Sequence, residues 1–147
     1  MKLWFLIFCI VILISGCSEK KDVPVNYKKG QARFGAMTVD VEVADTFEKR
    51  MTGLMHQESL GEFQGMLFIF DDEVVRDFWM KNTLIPLDII FINSSFDIVK
   101  IQHAVPCKED SCPTYSSINS SKYVVEVNAG FAEKNNIIEG MKVELLY

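Results

Sequence analysis

The sequence predicts a mainly β fold of the α+β class: a compact curled sheet or small barrel of about seven strands, with one short covering helix and a second helical turn. Short segments with period-two alternation recur along the chain, whereas one segment changes clearly to helical period. Several strands are apolar on both faces, so neither face is expected to lie in water. A sheet that curls onto itself beneath a helix buries both faces.

The predicted strands, in chain order, cover residues 37–43, 64–70, 77–81, 87–92, 96–103, 123–128 and 141–146. The first reads MTVDVEV, and such alternation is typical of a strand with one face in water. The second and fourth are apolar almost throughout, which favours strands buried on both faces. Asn93, Ser94 and Ser95 supply the polar turn of a hairpin between the fourth and fifth strands.

The covering helix is predicted within residues 45–55, where the apolar period changes. Its apolar stripe, which we expect to face the sheet, consists of Phe47, Met51 and Leu54. Asp45 or Thr46 is the expected N-cap, and Gly53 lies near the expected end of the helix. Residues 130–135 predict the second, shorter helical turn.

The first 16 residues predict a lipoprotein signal peptide. One basic residue, Lys2, precedes an apolar run over residues 3–14, and Cys17 follows directly after Ser15 and Gly16. An uncleaved anchor helix or an ordinary signal peptide is the alternative. On the lipoprotein interpretation, lipid on Cys17 attaches an exported protein to a membrane, facing the periplasm or the cell exterior.

The rest of the chain is predicted to divide into two parts. Residues 17–33 are expected to be the lipidated cysteine and a flexible tether, because the segment is polar and lacks apolar periodicity. Residues 34–147 are expected to form a single globular β-rich domain.

Charge and motifs narrow the classes of function. The net charge of −5 speaks against nucleic acid, or an anionic membrane surface, as the electrostatic partner. The sequence contains no G-x-S-x-G, no H-E-x-x-H and no Gly-rich phosphate loop. Seven methionines raise the copper alternative, but no M-x-x-M or H-x-x-M cluster is present, so methionine is expected as core filler. We therefore expect no metal and no cofactor.

Cys107 and Cys112, in the segment PCKEDSCP, are expected to form a disulfide that closes a small loop. A metal site would need further Cys or His ligands at short spacing. The spacing also differs from the CxxC of exchange enzymes, so the disulfide is favoured over both alternatives.

The segment FWMKNTLIPLDIIFI, residues 78–92, places polar side chains among apolar ones. Asp88 shares a strand face with isoleucines, and Glu126 shares one with Val124. Arg50 leans toward the apolar stripe of the predicted helix. Because a charged group on an apolar face needs a partner, we expect a structural ion pair between Arg50 and Asp88.

The same segment holds the candidate ligand-binding residues, which are Trp79, Lys81 and Asn82. An aromatic ring beside an ammonium and an amide suits a site that combines apolar contact with a few polar groups. The weaker candidates for acid/base catalysis are Asp88, His103 and Glu126, although no spacing rule supports a pair among them.

Five motifs follow one another along the domain: GLM at 53–55, GMLFIF at 65–70, FWMKNTLIPLDIIFI at 78–92, PCKEDSCPTY at 106–115 and YVVEVNAG at 123–130. In this order they resemble the domain of unknown function 192 family (uncharacterised protein family 0127), over nearly all of residues 36–147. The resemblance implies a compact β-rich domain, commonly exported or membrane-anchored, and it implies no particular activity. Positions that the family pattern features are occupied by Arg50, Phe78, Trp79, Met80, Lys81, Asn82, Pro86, Asp88, Glu126 and Gly130.

The function that the sequence favours is non-enzymatic binding of a small molecule, a glycan or an envelope partner. One alternative is an acid/base enzyme that acts on a cell-wall or carbohydrate substrate. Another is a structural or partner-docking module. A deep pocket with converging carboxylates would favour the enzyme, a shallow aromatic patch would favour binding, and a fully paired interior network would favour the structural module.

Overall fold

The structure, a computed structural model, describes residues 26–109 and 111–147. Nine strands and two short helices lie within these residues. The strands are β1 (Lys28–Phe34), β2 (Met37–Ala44), β3 (Gln64–Val74), β4 (Asp77–Trp79), β5 (Leu87–Ile92), β6 (Ile98–Ala104), β7 (Thr114–Ser116), β8 (Ser121–Asn128) and β9 (Val143–Leu146); the helices are α1 (Phe47–Thr52) and α2 (Phe131–Lys134).

Seven of these strands form one sheet in the order β6-β5-β8-β3-β2-β1-β9, and β4 pairs with β7 in a separate ribbon. Neighbours in the sheet are antiparallel except β2 and β3, which are parallel. The two edges of the sheet approach each other, since Ile98 N donates to Met141 O at 2.9 Å and Val143 N donates to Phe96 O at 2.9 Å. The sheet therefore curls toward a barrel, which confirms the predicted mainly β architecture.

The first hydrophobic core fills the inside of the curl. It receives side chains from all seven strands of the sheet and from α2. Its buried members include Phe34, Leu67, Ile90, Val125 and Phe131.

A second hydrophobic core lies on the outer face of the same sheet, beneath the β4–β7 ribbon. Its buried members include Met66, Phe68, Ile89, Phe91 and Val124. Phe78 of β4 packs edge-on against Phe68 and Phe91, with ring centroids 5.2 Å and 5.6 Å apart. Because both faces of the central strands are covered, every residue of β5 is buried, as its composition predicts.

The predicted tether is wrong from Lys28 onward, because β1 begins there. β1 pairs along its whole length with β2, from Lys28 opposite Val43 to Phe34 opposite Met37, and its second half also pairs with β9. Ala32 and Phe34 are buried, but the strand starts with the polar residues KKGQ. That polar start hides the period-two pattern. β7 was likewise not predicted, since three residues are too few to display a period.

The predicted buried stripe of the covering helix is also wrong. Thr46 is the N-cap, as expected, and its side chain accepts a hydrogen bond from Lys49 N at 3.3 Å. However, α1 has six residues and none is buried: Phe47 is 68% exposed and Met51 46%. Leu54, beyond the end of the helix, is the buried member. A helix of less than two turns covers little of the sheet, so it leaves its apolar side chains exposed beside it.

The predicted signal peptide, the lipidated Cys17 and the start of the tether lie outside the described residues. No helix in the described part of the chain is both long and apolar enough to cross a membrane. Cys107 and Cys112 are joined in a disulfide.

Candidate functional site

A cleft opens between α1 and the ribbon strand β4, and we call it the α1–β4 cleft. Its outer part has a volume of about 200 Å³ and is lined by the rings of Phe47, Phe68, Phe70, Phe78 and Trp79, together with Met51. Its inner part, about 40 Å³, lies between residues 50–55 and β4 and reaches Thr83 and Glu126. Arg50 lines both parts, and Asp77 lines the outer one.

The two sides of the cleft are held by different forces. On one side, β4 is fixed by the packing of Phe78 in the outer core and by its pairing with β7, in which Trp79 lies opposite Thr114. This arrangement leaves Trp79 45% exposed at the rim. On the other side, Phe47 and Met51 project from α1, whose backbone is held by the Thr46 cap and by Arg50.

Arg50 is an anchor between α1 and β3 rather than a partner of Asp88. Its Nη1 donates hydrogen bonds to the backbone oxygens of Asp45, at 3.1 Å, and of Ile69, at 2.7 Å. Its guanidinium lies 5.1 Å from the ring centroid of Phe70. The predicted ion pair with Asp88 is therefore wrong, because backbone carbonyls satisfy the guanidinium.

Asp88 is fully buried on the inner face of the sheet, where it holds α2. Its carboxylate accepts hydrogen bonds from Gly130 N at 3.1 Å and from Ala132 N at 2.9 Å. The same carboxylate lies 2.7 Å from Nδ1 of His103, which stands opposite Asp88 on β6. The imidazole is 67% exposed. The partners of the Asp88 carboxylate are thus two backbone amides and one imidazole, and not the Arg50 guanidinium that the sequence predicts.

Glu126 lies on the opposite, outer face of the sheet. It is flanked in register by Met66 of β3 and Ile89 of β5, which both belong to the outer core. The side chain is 5% exposed, at the inner end of the α1–β4 cleft. Burial raises the pKa of Glu126 from its ordinary 4.5 to about 8. Near neutral pH this carboxyl group is therefore largely protonated.

The three catalytic candidates do not meet at one place. Asp88 and His103 form a pair on the inner face, whereas Glu126 is separated from both by the sheet itself. Neither the spacing of these residues along the chain nor the alternation within each strand reveals this separation, which follows from the register of β5 against β8.

Of the predicted ligand-binding residues, only Trp79 lines the cleft. Nζ of Lys81 lies 5.9 Å from the Trp79 ring centroid, and the Lys81 backbone bridges to Cys107. Asn82 has a positive φ of 60°, and its carbonyl accepts a hydrogen bond from His56 N at 2.8 Å. Lys81 and Asn82 therefore lie beside the cleft. Lys81 lies near the Trp79 ring, and Asn82 forms part of a turn.

Sequence reasoning missed Phe47 and Met51 as residues of the site. Their spacing of four is the same for a stripe that faces a core and a stripe that faces a cleft. One signal could have separated the two interpretations: Gly53 ends the helix after six residues, which is too short for a stripe to be covered fully.

A larger groove of about 430 Å³ lies elsewhere, between β2 and the segment before β3. Its lining is mostly polar, with Asp40, Glu42, Gln57, Ser59 and Gln64 among its residues. Glu42 is paired with Lys29, and Asp40 accepts a hydrogen bond from Gln31 at 3.0 Å. The charged groups of this groove are satisfied by the protein itself. Within the described residues, no group of three or more Cys, His, Asp or Glu is placed to hold a metal ion.

Comparison with known proteins gives a family and a fold. The family model of the domain of unknown function 192, described as uncharacterized ACR, COG1430, matches residues 29–145. A UPF0127 protein of Thermococcus sibiricus is 28% identical over 125 residues, which cover 82% of this chain and 72% of that protein.

Two solved structures resemble the chain throughout the domain. A provisionally named transcription regulator from Sinorhizobium meliloti 1021 has a TM-score of 0.76 and 34% identity, covering 82% of this chain and 96% of that one. A protein of unknown function from Novosphingobium aromaticivorans DSM 12444 has a TM-score of 0.71 and 31% identity, covering 80% and 84%. With the family model matched from β1 to β9, the chain belongs to the uncharacterised domain of unknown function 192 family (UPF0127).

Proposed function

We propose that the domain is a non-enzymatic binding module whose α1–β4 cleft holds a small ligand with a flat apolar face, such as a sugar ring of a glycan. The observation that carries the proposal is the exposed apolar rim, on which Phe47 is 68%, Met51 46% and Trp79 45% exposed. Apolar side chains clustered around a concave surface and bordered by polar groups are typical of ligand-binding grooves.

The composition of the cleft suits such a ligand. Aromatic rings on both sides offer faces on which a ring can stack, and Trp79 presents the largest of these faces at the rim. The few polar groups, Arg50, Asp77 and Glu126, lie at different depths and can orient what is bound.

We also propose that lipid on Cys17 tethers the domain to a membrane, facing the periplasm or the cell exterior. The support is the sequence pattern of residues 1–17. On this proposal the ligand is a molecule of the cell envelope.

An acid/base enzyme has less support. Catalysis by two carboxyl groups needs both of them to flank the same scissile bond in one substrate site. Asp88 and Glu126 lie on opposite faces of the sheet, and His103 belongs with Asp88.

The test uses Trp79 as its own reporter. The chain has two tryptophans, Trp4 and Trp79, so Trp4→Phe leaves a single indole whether or not residues 1–16 are removed. We expect titration of this full chain in lipid nanodiscs with disaccharides of glucosamine, N-acetylglucosamine, glucose and galactose to shift the Trp79 emission to shorter wavelength for at least one of them.

Calorimetry on variants then assigns the site. Trp79→Ala and Phe47→Ala should each weaken binding of that disaccharide. Ile138→Ala removes a side chain of similar exposure, 64%, that does not line the cleft, and it should leave binding unchanged. Absence of any emission shift across the panel, or equal weakening by Ile138→Ala, would contradict the proposed function.

A further inference from the structure

The inner end of the α1–β4 cleft is closed by a carboxyl group in apolar surroundings. Glu126 stands on β8 between two strands of the outer core, and its register neighbours Met66 and Ile89 are fully or almost fully buried. Phe68 and Phe78 line the same inner space. The Glu126 side chain is 5% exposed and reaches this space, which the polar side chains of Arg50, Thr52 and Thr83 also border.

The charged side chains around the cleft do not serve as counter-ions for this group. Arg50, from α1, donates to the carbonyls of Asp45 and Ile69, and its guanidinium lies at the Phe70 end of the cleft. Arg76 lies over the same ring, with Cζ 3.5 Å from the Phe70 centroid. Burial is the cause that raises the pKa of the Glu126 carboxyl.

The other charged groups nearby are placed at the rim. Asp77 of β4 lines the outer part of the cleft, and Lys81 places its ammonium against the Trp79 ring. The guanidinium groups of Arg50 and Arg76 thus lie over Phe70 and the Lys81 ammonium lies at the Trp79 rim, whereas the carboxyl groups are Asp77 at the mouth and Glu126 at the inner end. The two guanidinium groups disfavour a cation at the Phe70 end, and Glu126 becomes a partner for a cation once its carboxyl group has lost its proton.

Size and chemistry restrict the group that fits the inner end. The inner space of about 40 Å³ accommodates a group comparable to one or two water molecules. An ammonium is of this size, and a cation is attracted by the faces of Trp and Phe rings on its way in. An ionised carboxylate buried without a partner is costly, and an ammonium from the ligand would supply the missing partner.

We infer that the α1–β4 cleft selects ligands that carry a primary amine, whose ammonium enters the inner end and pairs with the Glu126 carboxylate while the body of the ligand lies along the aromatic rings. This inference rests on the proposed function of the cleft. Formation of the pair requires the carboxyl proton of Glu126 to leave for the solvent, so binding of the ammonium form near neutral pH releases a proton. A neutral hydroxyl in the same place would accept or donate a hydrogen bond and release none.

Two probes with the same flat body separate these cases. Benzylamine and benzyl alcohol differ only in the group that would reach Glu126. Calorimetry on the full chain in lipid nanodiscs should give tighter binding of benzylamine, with a preference about fivefold larger at pH 8, where less of the Glu126 carboxyl must lose its proton, than at pH 7. Repeating the pH 7 titration in two buffers of different ionisation enthalpy should give release of about one proton per amine and none for the alcohol.

Glu126→Gln keeps the shape of the side chain and removes its charge. In this variant the two probes should bind equally and without proton release, whereas Phe47→Ala should weaken both probes and keep the preference for the amine. If Glu126→Gln does not fold, the proton release of the unchanged protein still decides the matter. Equal affinities with no proton release would overturn the amine inference and leave the cleft as a binding site. Failure of both probes to bind would overturn the proposed function as well.

Discussion

Asp88 of β5 and Glu126 of β8 lie on adjacent strands, and their carboxyl groups point to opposite faces of the sheet. Asp88 stands opposite Val127 and faces the inner core, whereas Glu126 stands opposite Ile89 and faces the outer one. Asp88 is held by two backbone amides and an imidazole. Burial raises the pKa of Glu126. The Asp88 carboxylate therefore stabilises the fold, whereas the Glu126 carboxyl group lies at the end of a cleft where a ligand could reach it.

Removal of the Asp88 carboxylate should destabilise the domain strongly. Asp88→Ala leaves the amides of Gly130 and Ala132 without their acceptor at the start of α2, and we expect the free energy of unfolding to fall by about 3 kcal/mol or more. Urea denaturation followed by circular dichroism measures this. Asp97→Ala, at a surface ion pair with Lys142, is the control and should lower the free energy of unfolding far less, because solvent screens this pair. Equal losses in the two variants would mean that Asp88 does not hold α2.

Stability should depend on pH through Glu126. Its pKa is about 8 in the folded domain and 4.5 in its ordinary state, so between these values the folded protein binds the proton that the unfolded chain releases. The contribution of Glu126 to the free energy of unfolding is therefore fully present below pH 4.5. It is lost as pH rises from there through about 8, with a slope of about 1.4 kcal/mol per pH unit.

The contribution of Glu126 is isolated by subtraction. Glu126→Gln cannot ionise, so the difference in unfolding free energy between the parent chain and this variant should decrease across that range. Hydrogen bonds from Lys49 and Lys28 lower the pKa of Asp45 to about 2, so the titration of Asp45 affects stability only below this pH range. A parallel pair of pH profiles for the two proteins would mean that the Glu126 carboxyl is not buried as described.

Arg50 and Phe47, three residues apart on α1, should have separable roles. Arg50→Ala removes the donor to two backbone carbonyls, and we expect a loss of about 2 kcal/mol in unfolding free energy. Phe47→Ala removes a side chain that is mostly exposed, so stability should change by less than about 1 kcal/mol while ligand binding weakens. Thermal melts of both variants, beside the parent, measure the contrast. A reversed order would show that Phe47 packs into the fold and Arg50 does not.

The proposed anchor has a direct chemical signature. Native protein purified from membranes should carry lipid on Cys17, and Cys17→Ser should release the protein from the membrane fraction. Intact-mass spectrometry distinguishes a lipidated Cys17 from a free one. An unmodified Cys17 on a soluble native protein would rule out the lipoprotein assignment.

Face assignments were predictable from the sequence because they depend only on alternation along a strand. Glu126 and Val124 were expected to share a face, and Val124 belongs to the outer core that borders Glu126. Alternation does not reveal which face is the inside of the curl. That depends on the pairing of β8 with β3 and β5, which come from distant parts of the chain.

The hydrogen-bond partners of buried polar side chains were harder to predict than the strand faces on which they lie. Arg50 was expected to need an acidic residue, but the acceptors it found are backbone carbonyls, which every residue carries and no sequence pattern marks. Asp88 found backbone amides of residues 130 and 132 for the same reason. The cleft itself arises because a short helix fails to cover its own apolar side chains, and helix length depends on the Gly53 cap rather than on the stripe.

The measurement that tests the central claim most directly is chemical-shift mapping by nuclear magnetic resonance of the full chain with benzylamine and with the disaccharide that shifts the Trp79 emission. The account predicts that the indole N–H of Trp79 and the amides of residues 50–55 move together on titration, because they border the α1–β4 cleft. The amides of Gly30 and Asp40, which border the polar groove, should stay in place. Shifts concentrated at Gly30 and Asp40, with the Trp79 indole unmoved, would contradict it.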